Sequence, residues 1–137
     1  MSIEKWAAEF YPAPADEATG NDLEAVKHSL RKWIGFREEN RAGVKPLDRI
    51  INFSDGETCA LCRRHYNART DSCGECPLVK ARSGTRCYRT MDDEIVSPYM
   101  RFTKNGDPEP MIAWLEKALN FVSEDTTDDN QEHNTDE

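Results

Sequence analysis

Long apolar runs are missing from this 137-residue sequence. No stretch approaches the roughly 18 apolar residues that a membrane-spanning helix requires, so we expect no membrane segment. The first residues, MSIEKWAAEF, include acids and lack the apolar core of a secretory signal. We therefore expect the protein to act in a reducing compartment, the cytoplasm, where thiols stay reduced.

Catalytic signatures are also missing. The sequence contains no nucleophile elbow, no phosphate-binding loop and no pair of carboxylates at a convincing spacing. A zinc-stapled nuclease would need a second core histidine, whereas His65 stands apart from His28 and the tail residue His133. The acidic run over residues 92–94 is typical of a solvated loop, because consecutive side chains alternate in direction. We therefore predict a protein that is not an enzyme and has no small-molecule substrate.

The five cysteines, by contrast, all lie within one stretch, CALCRRHYNARTDSCGECPLVKARSGTRC. Two Cys-x2-Cys pairs are separated by ten residues, and ten more residues lead to the last cysteine. In a reducing compartment such pairs indicate a metal or redox site rather than disulfides. Two intervening residues allow both sulfurs of a pair to bind one ion, and two pairs complete a tetrahedron around Zn²⁺. The sequence therefore predicts a zinc site.

Four thiolates complete a zinc site, so one of the five cysteines is surplus. The predicted ligands are Cys59, Cys62, Cys73 and Cys76. Cys87 is then a buried neighbour, or an alternate ligand in place of one member of the first pair. His65, at Cys62-x2-His65, is a weaker alternative because thiols are already in excess. Which four cysteines bind the metal stays open at this point.

Two other chemistries stay open for these thiols. Cys76-Pro77 is similar to the cysteines of ferredoxins, which favours an iron–sulfur cluster, but the remaining spacing does not match. A redox dithiol is the other alternative, although no βαβ pattern surrounds either pair. Four protein ligands leave no coordination position for water, so the predicted zinc site is structural rather than catalytic.

The metal segment, residues 55–90, has few hydrophobic side chains and is mildly basic. It carries seven bases and four acids, and the two negative charges of a four-thiolate zinc site would leave it near +1. A metal bound only in the folded state would contribute its binding energy to the folding of this segment. We expect a partner to contact its basic and aromatic residues: Arg63, Arg64, Arg69, Arg82, Arg86, Arg89, Tyr66 and Tyr88.

The whole chain divides into three predicted parts. Two prolines and a glycine in EFYPAPADEATG predict an extended arm over residues 1–20. Residues 21–122 are predicted to form a single zinc-stapled domain that contains the metal segment. Residues 123–137 are predicted to be a disordered acidic tail, because they are low in hydrophobes and carry seven acids and no lysine or arginine.

An amphipathic helix is predicted at each end of the domain. The first spans residues 22–40, with a cap at Asn21 or Asp22. On this helix His28 lies opposite the apolar face, close to Lys32, so we expect His28 to be exposed.

The second helix spans residues 108–122, with an apolar stripe from Met111 to Val122. A shorter helix is predicted to start at Ser97-Pro98, and residues 47–53 form either a strand or a helical turn. We therefore predict a mainly α fold, with a small α+β fold as the alternative. In this fold the two amphipathic helices pack on the zinc-knuckle segment.

The order of these motifs carries a resemblance. HSLRKWIGF is followed by CALCRRHYN, CGECPL, a later cysteine, SPY and a final amphipathic helix. Over residues 25–120 this pattern resembles a group of small cysteine-motif proteins of tailed bacteriophages and prophages. The resemblance implies phage origin and expression in bacterial cytoplasm, and it implies no activity. Because the fifth cysteine is part of the pattern, the resemblance also favours a role for Cys87 at the metal site.

Two functions follow from these observations as hypotheses. The first is a zinc-binding accessory protein that inhibits or regulates a host or phage protein by binding to it. The alternative is a nucleic-acid-binding regulator of transcription or replication that uses the arginine-rich zinc knuckle. A gel shift that weakens with salt would distinguish the second from the first.

Overall fold

The described part of the protein is built from helices. The computed structural model describes residues 2–41 and 58–134, and side chains are described as far as Val122. These ranges contain seven α-helices: α1 (Ile3–Phe10), α2 (Asp22–Ile34), α3 (Glu38–Arg41), α4 (Ala60–His65), α5 (Pro77–Ala81), α6 (Pro98–Asn105) and α7 (Glu109–Asn134). A 3₁₀ helix spans Ala15–Ala18, and the β pairing described is one bridge between Asn67 and Ser72. The prediction of a mainly α fold is confirmed.

Helix α2 is the central element, since it contacts α1, the 3₁₀ helix, α4, α5 and α7. Asn21 caps it as predicted, because its Oδ1 accepts a hydrogen bond from the Glu24 N–H at 2.8 Å. The helix ends at Ile34, earlier than the predicted residue 40, and Gly35 occupies its C-cap. A β-carbon on Gly35 would lie 2.5 Å from the Phe10 ring, so glycine allows α1 to pack directly against this end of α2.

The N-terminal segment differs from the extended arm that its prolines predicted. Ser2 caps helix α1 by accepting a hydrogen bond from the Lys5 N–H at 3.2 Å. Trp6 on this helix is fully buried, and its Nε1 donates to the Gly35 carbonyl at 2.8 Å. Both prolines lie beyond the end of the helix and so do not interrupt it.

Aromatic side chains join α1, α2 and α6 into one core. The rings of Trp6 and Phe36 stack with centroids 5.6 Å apart, and Phe36 stacks on Phe102 at 4.6 Å. Trp33 meets Phe102 edge to face at 5.2 Å. Offset-stacked and edge-to-face pairs are the favoured aromatic geometries, so this cluster orients the three helices as well as burying them.

The two C-terminal helices begin where local sequence signals predicted. Ser97 Oγ accepts a hydrogen bond from the Met100 N–H at 3.3 Å, and Pro98 is the first residue of α6. Gly106 ends α6 in the left-handed region, with φ of 73°. Helix α7 buries Met111 and Leu115 against α2 and α5, as its stripe predicted.

One prediction, the apolar piece at 47–53, lies outside the described residues. The acidic tail differs in part from its prediction, because the backbone of α7 continues as a helix to Asn134, past the predicted end at residue 122. Residues 135–137 lie outside the described part of the chain. Across the described chain, no helix combines the length and apolar character that crossing a membrane would need.

Candidate metal centre

The first cysteine pair opens a short helix. Cys59 occupies the N-cap position of α4, and its carbonyl accepts a hydrogen bond from the Arg63 N–H at 2.9 Å. Cys62 lies in the first turn of the same helix, three residues after Cys59. A position at a helix N-terminus favours the thiolate form of a cysteine.

The second pair also leads into a helix. The Cys76 N–H donates to the Cys73 carbonyl at 3.1 Å, and this turn includes Gly74 with a positive φ of 53°. Cys76 then occupies the N-cap position of α5, whose first residue is Pro77. The two Cys-x2-Cys pairs therefore have similar local geometry, a tight turn running into a helical turn.

A short hairpin turn joins the two pairs. Asn67 and Ser72 exchange both backbone hydrogen bonds, at 2.8 and 3.2 Å. The Asn67 side chain also accepts hydrogen bonds from the Arg69 and Thr70 N–H groups within the turn. The ten-residue spacer thus reverses direction and returns the second pair to the first.

All five thiols belong to one region of the protein. A cavity of about 870 Å³ is lined by Cys59, Cys62, Cys73 and Cys87, and its apolar walls come mainly from α2, α4, α5 and α7. Cys76 is buried beside the others, and its pKa is raised first by burial and then by the charge of the Cys59 thiolate. The tertiary structure therefore gathers the predicted ligands and the predicted alternate, Cys87, in one place.

The thiol pKa values are spread widely. Hydrogen bonding to Cys62 holds the pKa of Cys59 well below its usual range despite burial, and the charge of Lys32 acts in the same direction. The Cys62 pKa is correspondingly raised, first by that hydrogen bond and then by burial. Burial raises the pKa of Cys76 and of Cys87 to about 12 each, and it also raises the pKa of Cys73. A metal ion would have to displace protons from most of these sulfurs.

The thiols do not form a closed coordination sphere as they stand. Within residues 2–41 and 58–122, no three side chains of histidine, cysteine, aspartate or glutamate are arranged to hold one ion. The zinc ligands named from the sequence therefore stay a prediction, and so does the choice of the fifth cysteine.

The predicted alternative ligand His65 has another partner. Its Nε2 lies 2.7 Å from Asp22 Oδ1, and Arg64 Nε donates to the same oxygen at 2.6 Å. Burial raises the pKa of Asp22, but the hydrogen bonds from Arg64 and His65 outweigh it and bring the pKa below its ordinary value. This cluster connects the end of α4 to the start of α2.

The polar side of α2 is more buried than its sequence predicted. His28, expected to be exposed, is half-buried, with Nε2 2.7 Å from the Ala13 carbonyl oxygen and its ring edge against Tyr11. Lys32 has an exposure of 0%, and its Nζ donates to the Thr58 carbonyl at 3.0 Å. The N-terminal segment covers His28, and the start of the metal segment covers Lys32.

Apart from Arg82, the predicted contact residues fall into two groups, exposed residues outside the ion pairs of the described chain and arginines within one. Tyr66 and Tyr88 are 43% and 41% exposed, and Arg69 and Arg89 are exposed as well. The arginines Arg63, Arg64 and Arg86 form ion pairs with Asp16, Asp22 and Asp71 respectively. We call Tyr66, Arg69, Arg86, Tyr88 and Arg89 the tyrosine–arginine surface.

Arg82 is a correction to the predicted contact set, because its exposure is 0%. Its guanidinium binds both carboxylate oxygens of Glu94, at 2.8 and 3.0 Å, and donates to the Arg89 carbonyl at 2.6 Å. It also lies 5.1 Å from the centroid of the Trp114 ring. Arg82 therefore holds the end of the metal segment against α7, and it is not available to a partner.

Glu94 in turn differs from the solvated loop predicted for residues 92–94. Besides binding Arg82, its Oε1 accepts a hydrogen bond from the Met91 N–H at 2.8 Å. Asp92 and Asp93 are exposed, as that prediction requires. The Arg82–Glu94 pair joins residues twelve positions apart in an irregular segment, where no periodicity could have revealed it.

Comparisons with known proteins add no relative to this picture. No protein-family model, no curated protein and no solved structure matches the chain. Interpretation of the cysteine region therefore depends on the chemistry of its own side chains.

Proposed function

We propose that this chain is a small, non-enzymatic, zinc-stapled accessory protein that acts by binding another protein. The observation that carries the metal assignment is the convergence of both Cys-x2-Cys pairs, each at the start of a short helix, with Cys87 on one region. Thiolates are suited to a structural Zn²⁺, which would hold a segment with few hydrophobic residues.

The tyrosine–arginine surface supports a protein partner. Tyrosine and arginine are the residues most enriched at the centres of protein interfaces. The guanidinium groups of Arg86 and Arg89 lie 5.7 and 5.6 Å from the centroid of the Tyr88 ring, so both pack against this ring. A rigid, partly exposed aromatic side chain loses little conformational entropy in an interface.

Charge pairing weighs against nucleic acid as the main partner. Binding to a phosphate backbone depends on several cationic groups that neutralise phosphates. Three of the predicted contact arginines already pair with carboxylates, and Arg82 is buried. Single-stranded nucleic acid stays the second candidate because Tyr66 and Tyr88 are exposed rings on which bases could stack.

The resemblance to tailed-phage proteins supports the choice of partner. Its motif order spans residues 25–120 and includes all five cysteines. We propose on this basis that the partner is a host or phage protein present in the infected bacterial cell, and that the chain inhibits or redirects it.

Metal content tests the first half of the proposal. Protein purified without added chelator should contain one zinc ion per chain by elemental analysis, and little iron. Each of the five cysteines should then be replaced singly by serine. Four replacements should reduce zinc content strongly and one should leave it unchanged, which identifies the surplus thiol. Iron with inorganic sulfide in place of zinc would overturn the zinc assignment.

Capture from infected cells tests the second half. The wild-type chain should retain a defined protein that the double variant Tyr66→Ala/Tyr88→Ala loses. Phe121→Ala is the matched control, because Phe121 is a comparably exposed aromatic residue on α7, at 42%. Loss of the captured protein in the control as well, or retention in the double variant, would contradict the proposed surface. A salt-sensitive gel shift with single-stranded DNA, abolished in the double variant, would favour the second candidate.

A further inference from the structure

Lys32 places a buried positive charge at the cysteine region. The side chain is fully buried on α2 and lines the same cavity as Cys59, Cys62, Cys73 and Cys87. Its Nζ donates to the Thr58 carbonyl at 3.0 Å and lies 3.4 Å from Thr58 Oγ1. Thr58 immediately precedes Cys59, so the ammonium group lies at the start of the first cysteine pair.

Ser29 approaches the same thiol from the same helix. It lies three residues before Lys32, so the two side chains share one face of α2. Ser29 is buried, and its Oγ is 3.8 Å from Cys59 Sγ. A hydroxyl at this position donates to the sulfur when the sulfur is a thiolate, since a thiolate has no proton to give.

The contacts of Lys32 and Ser29 matter because a zinc site of four thiolates carries excess negative charge. Four thiolates on Zn²⁺ leave two excess negative charges, which are costly to bury unless opposite charge lies close by. When the metal is bound, the positive charge of Lys32 therefore offsets part of the cost of burying the thiolates. Groups of this kind, which touch the ligands rather than the ion, commonly change metal affinity by about 10- to 100-fold.

We propose that Lys32 is the charge-balancing residue of the metal site, and that Ser29 supports it by hydrogen-bonding to the Cys59 sulfur. This inference rests on the proposed zinc site and adds two residues that are not metal ligands. It assigns α2, the central helix, a direct part in holding the metal. It also favours Cys59 as one of the four ligands, because Ser29 reaches that sulfur and Lys32 binds the residue before it.

Metal affinity of the full-length chain is the quantity that tests this proposal. Zinc affinity is measured by competition with a chromogenic chelator, and Co²⁺ replaces Zn²⁺ so that thiolate-to-cobalt absorption reports the number of sulfur ligands. Lys32→Met keeps the length of the side chain and removes its charge. We expect about 10-fold weaker zinc binding or more, with the cobalt spectrum still that of four thiolates.

Three further variants make the result specific. Lys32→Arg keeps the charge and should bind zinc more tightly than Lys32→Met. Lys27→Met removes an exposed lysine of the same helix and should bind zinc like the wild type. Ser29→Ala should weaken zinc binding by a smaller factor, about threefold, and it decides the question if Lys32→Met does not fold.

Two outcomes would each overturn a different proposal. Wild-type zinc affinity in both Lys32→Met and Ser29→Ala would overturn the role proposed for these residues and leave the zinc site intact. A wild-type chain that binds neither Zn²⁺ nor Co²⁺ would overturn the proposed zinc site itself.

Discussion

Arg82 binds Glu94 through both carboxylate oxygens, at 2.8 and 3.0 Å, with the guanidinium fully enclosed by the protein. The same guanidinium lies over the Trp114 ring, at 5.1 Å from its centroid. The end of the metal segment is therefore fastened to α7 by a charged group in the core, where the metal segment has few hydrophobic side chains to do so.

Removal of the carboxylate from this pair should be costly. Glu94→Gln leaves the buried guanidinium without its opposite charge, so we expect a loss of about 3 kcal/mol in the free energy of unfolding. Urea denaturation of the purified protein measures it. Asp93→Asn is the matched control, because Asp93 is the exposed neighbour and should change stability by about 0.5 kcal/mol at most. Equal effects of the two replacements would contradict a structural role for the Arg82–Glu94 pair.

The same pair should make stability depend on pH. Hydrogen bonding from Arg82 lowers the pKa of Glu94 despite its partial burial. A group whose pKa is depressed by folding contributes stability above its unfolded pKa, about 4.3 for glutamate, and loses it as the pH falls through the lower folded value. The stability difference between wild type and Glu94→Gln should therefore be full at neutral pH and shrink below about pH 4. A difference that stays constant through the acid range would exclude this assignment.

Gly35 should be intolerant of even one added carbon. A β-carbon there would lie 2.5 Å from the Phe10 ring, so Gly35→Ala should displace α1 and cost about 1–3 kcal/mol. Urea denaturation followed by tryptophan fluorescence measures the loss, because Trp6 lies on α1. Gly20→Ala is the control, since nothing lies within 4 Å of that position. The double variant Gly35→Ala/Phe10→Ala should recover part of the loss, and a strictly additive result would argue against the clash.

Metal removal should unfold the metal segment before the rest of the domain. The described part of this segment buries few apolar side chains, whereas α2 and α7 pack on each other directly. After chelation we expect trypsin to cleave first between Arg63 and Arg69, while most of the helical circular dichroism remains. Restoring zinc should restore protection. Identical proteolysis and circular dichroism before and after chelation would contradict the stapling role of the metal.

Local signals in the sequence predicted several elements correctly. Asn21 and Ser97 cap helices because a short polar side chain reaches the N–H two or three residues ahead, which depends on nothing outside the segment. The apolar stripe of α7 is set by the helical repeat in the same way. The clustering of the cysteines along the chain was also visible from their spacing.

Longer-range contacts account for the errors. Helix α1 was not predicted because the two prolines of the N-terminal segment indicated an extended arm, although both lie after the helix ends. The helix is stabilised by the packing of Trp6 against α2 rather than by a strong local signal. The end of α2 was misplaced because Gly35 is selected by the approach of Phe10, a residue of another helix.

The sequence by itself determined that this protein is mainly helical, that it bears five clustered thiols, and where its capped helices start, because each of these depends on residues close together along the chain. Only the tertiary structure decided that Lys32 and Arg82 are buried. Lys32 binds Thr58, which lies 26 residues away along the chain. Arg82 binds Glu94 in an irregular segment and packs on Trp114 of α7. Whether a charged side chain meets water or a buried partner depends on what folds over it, and no local pattern carries that information.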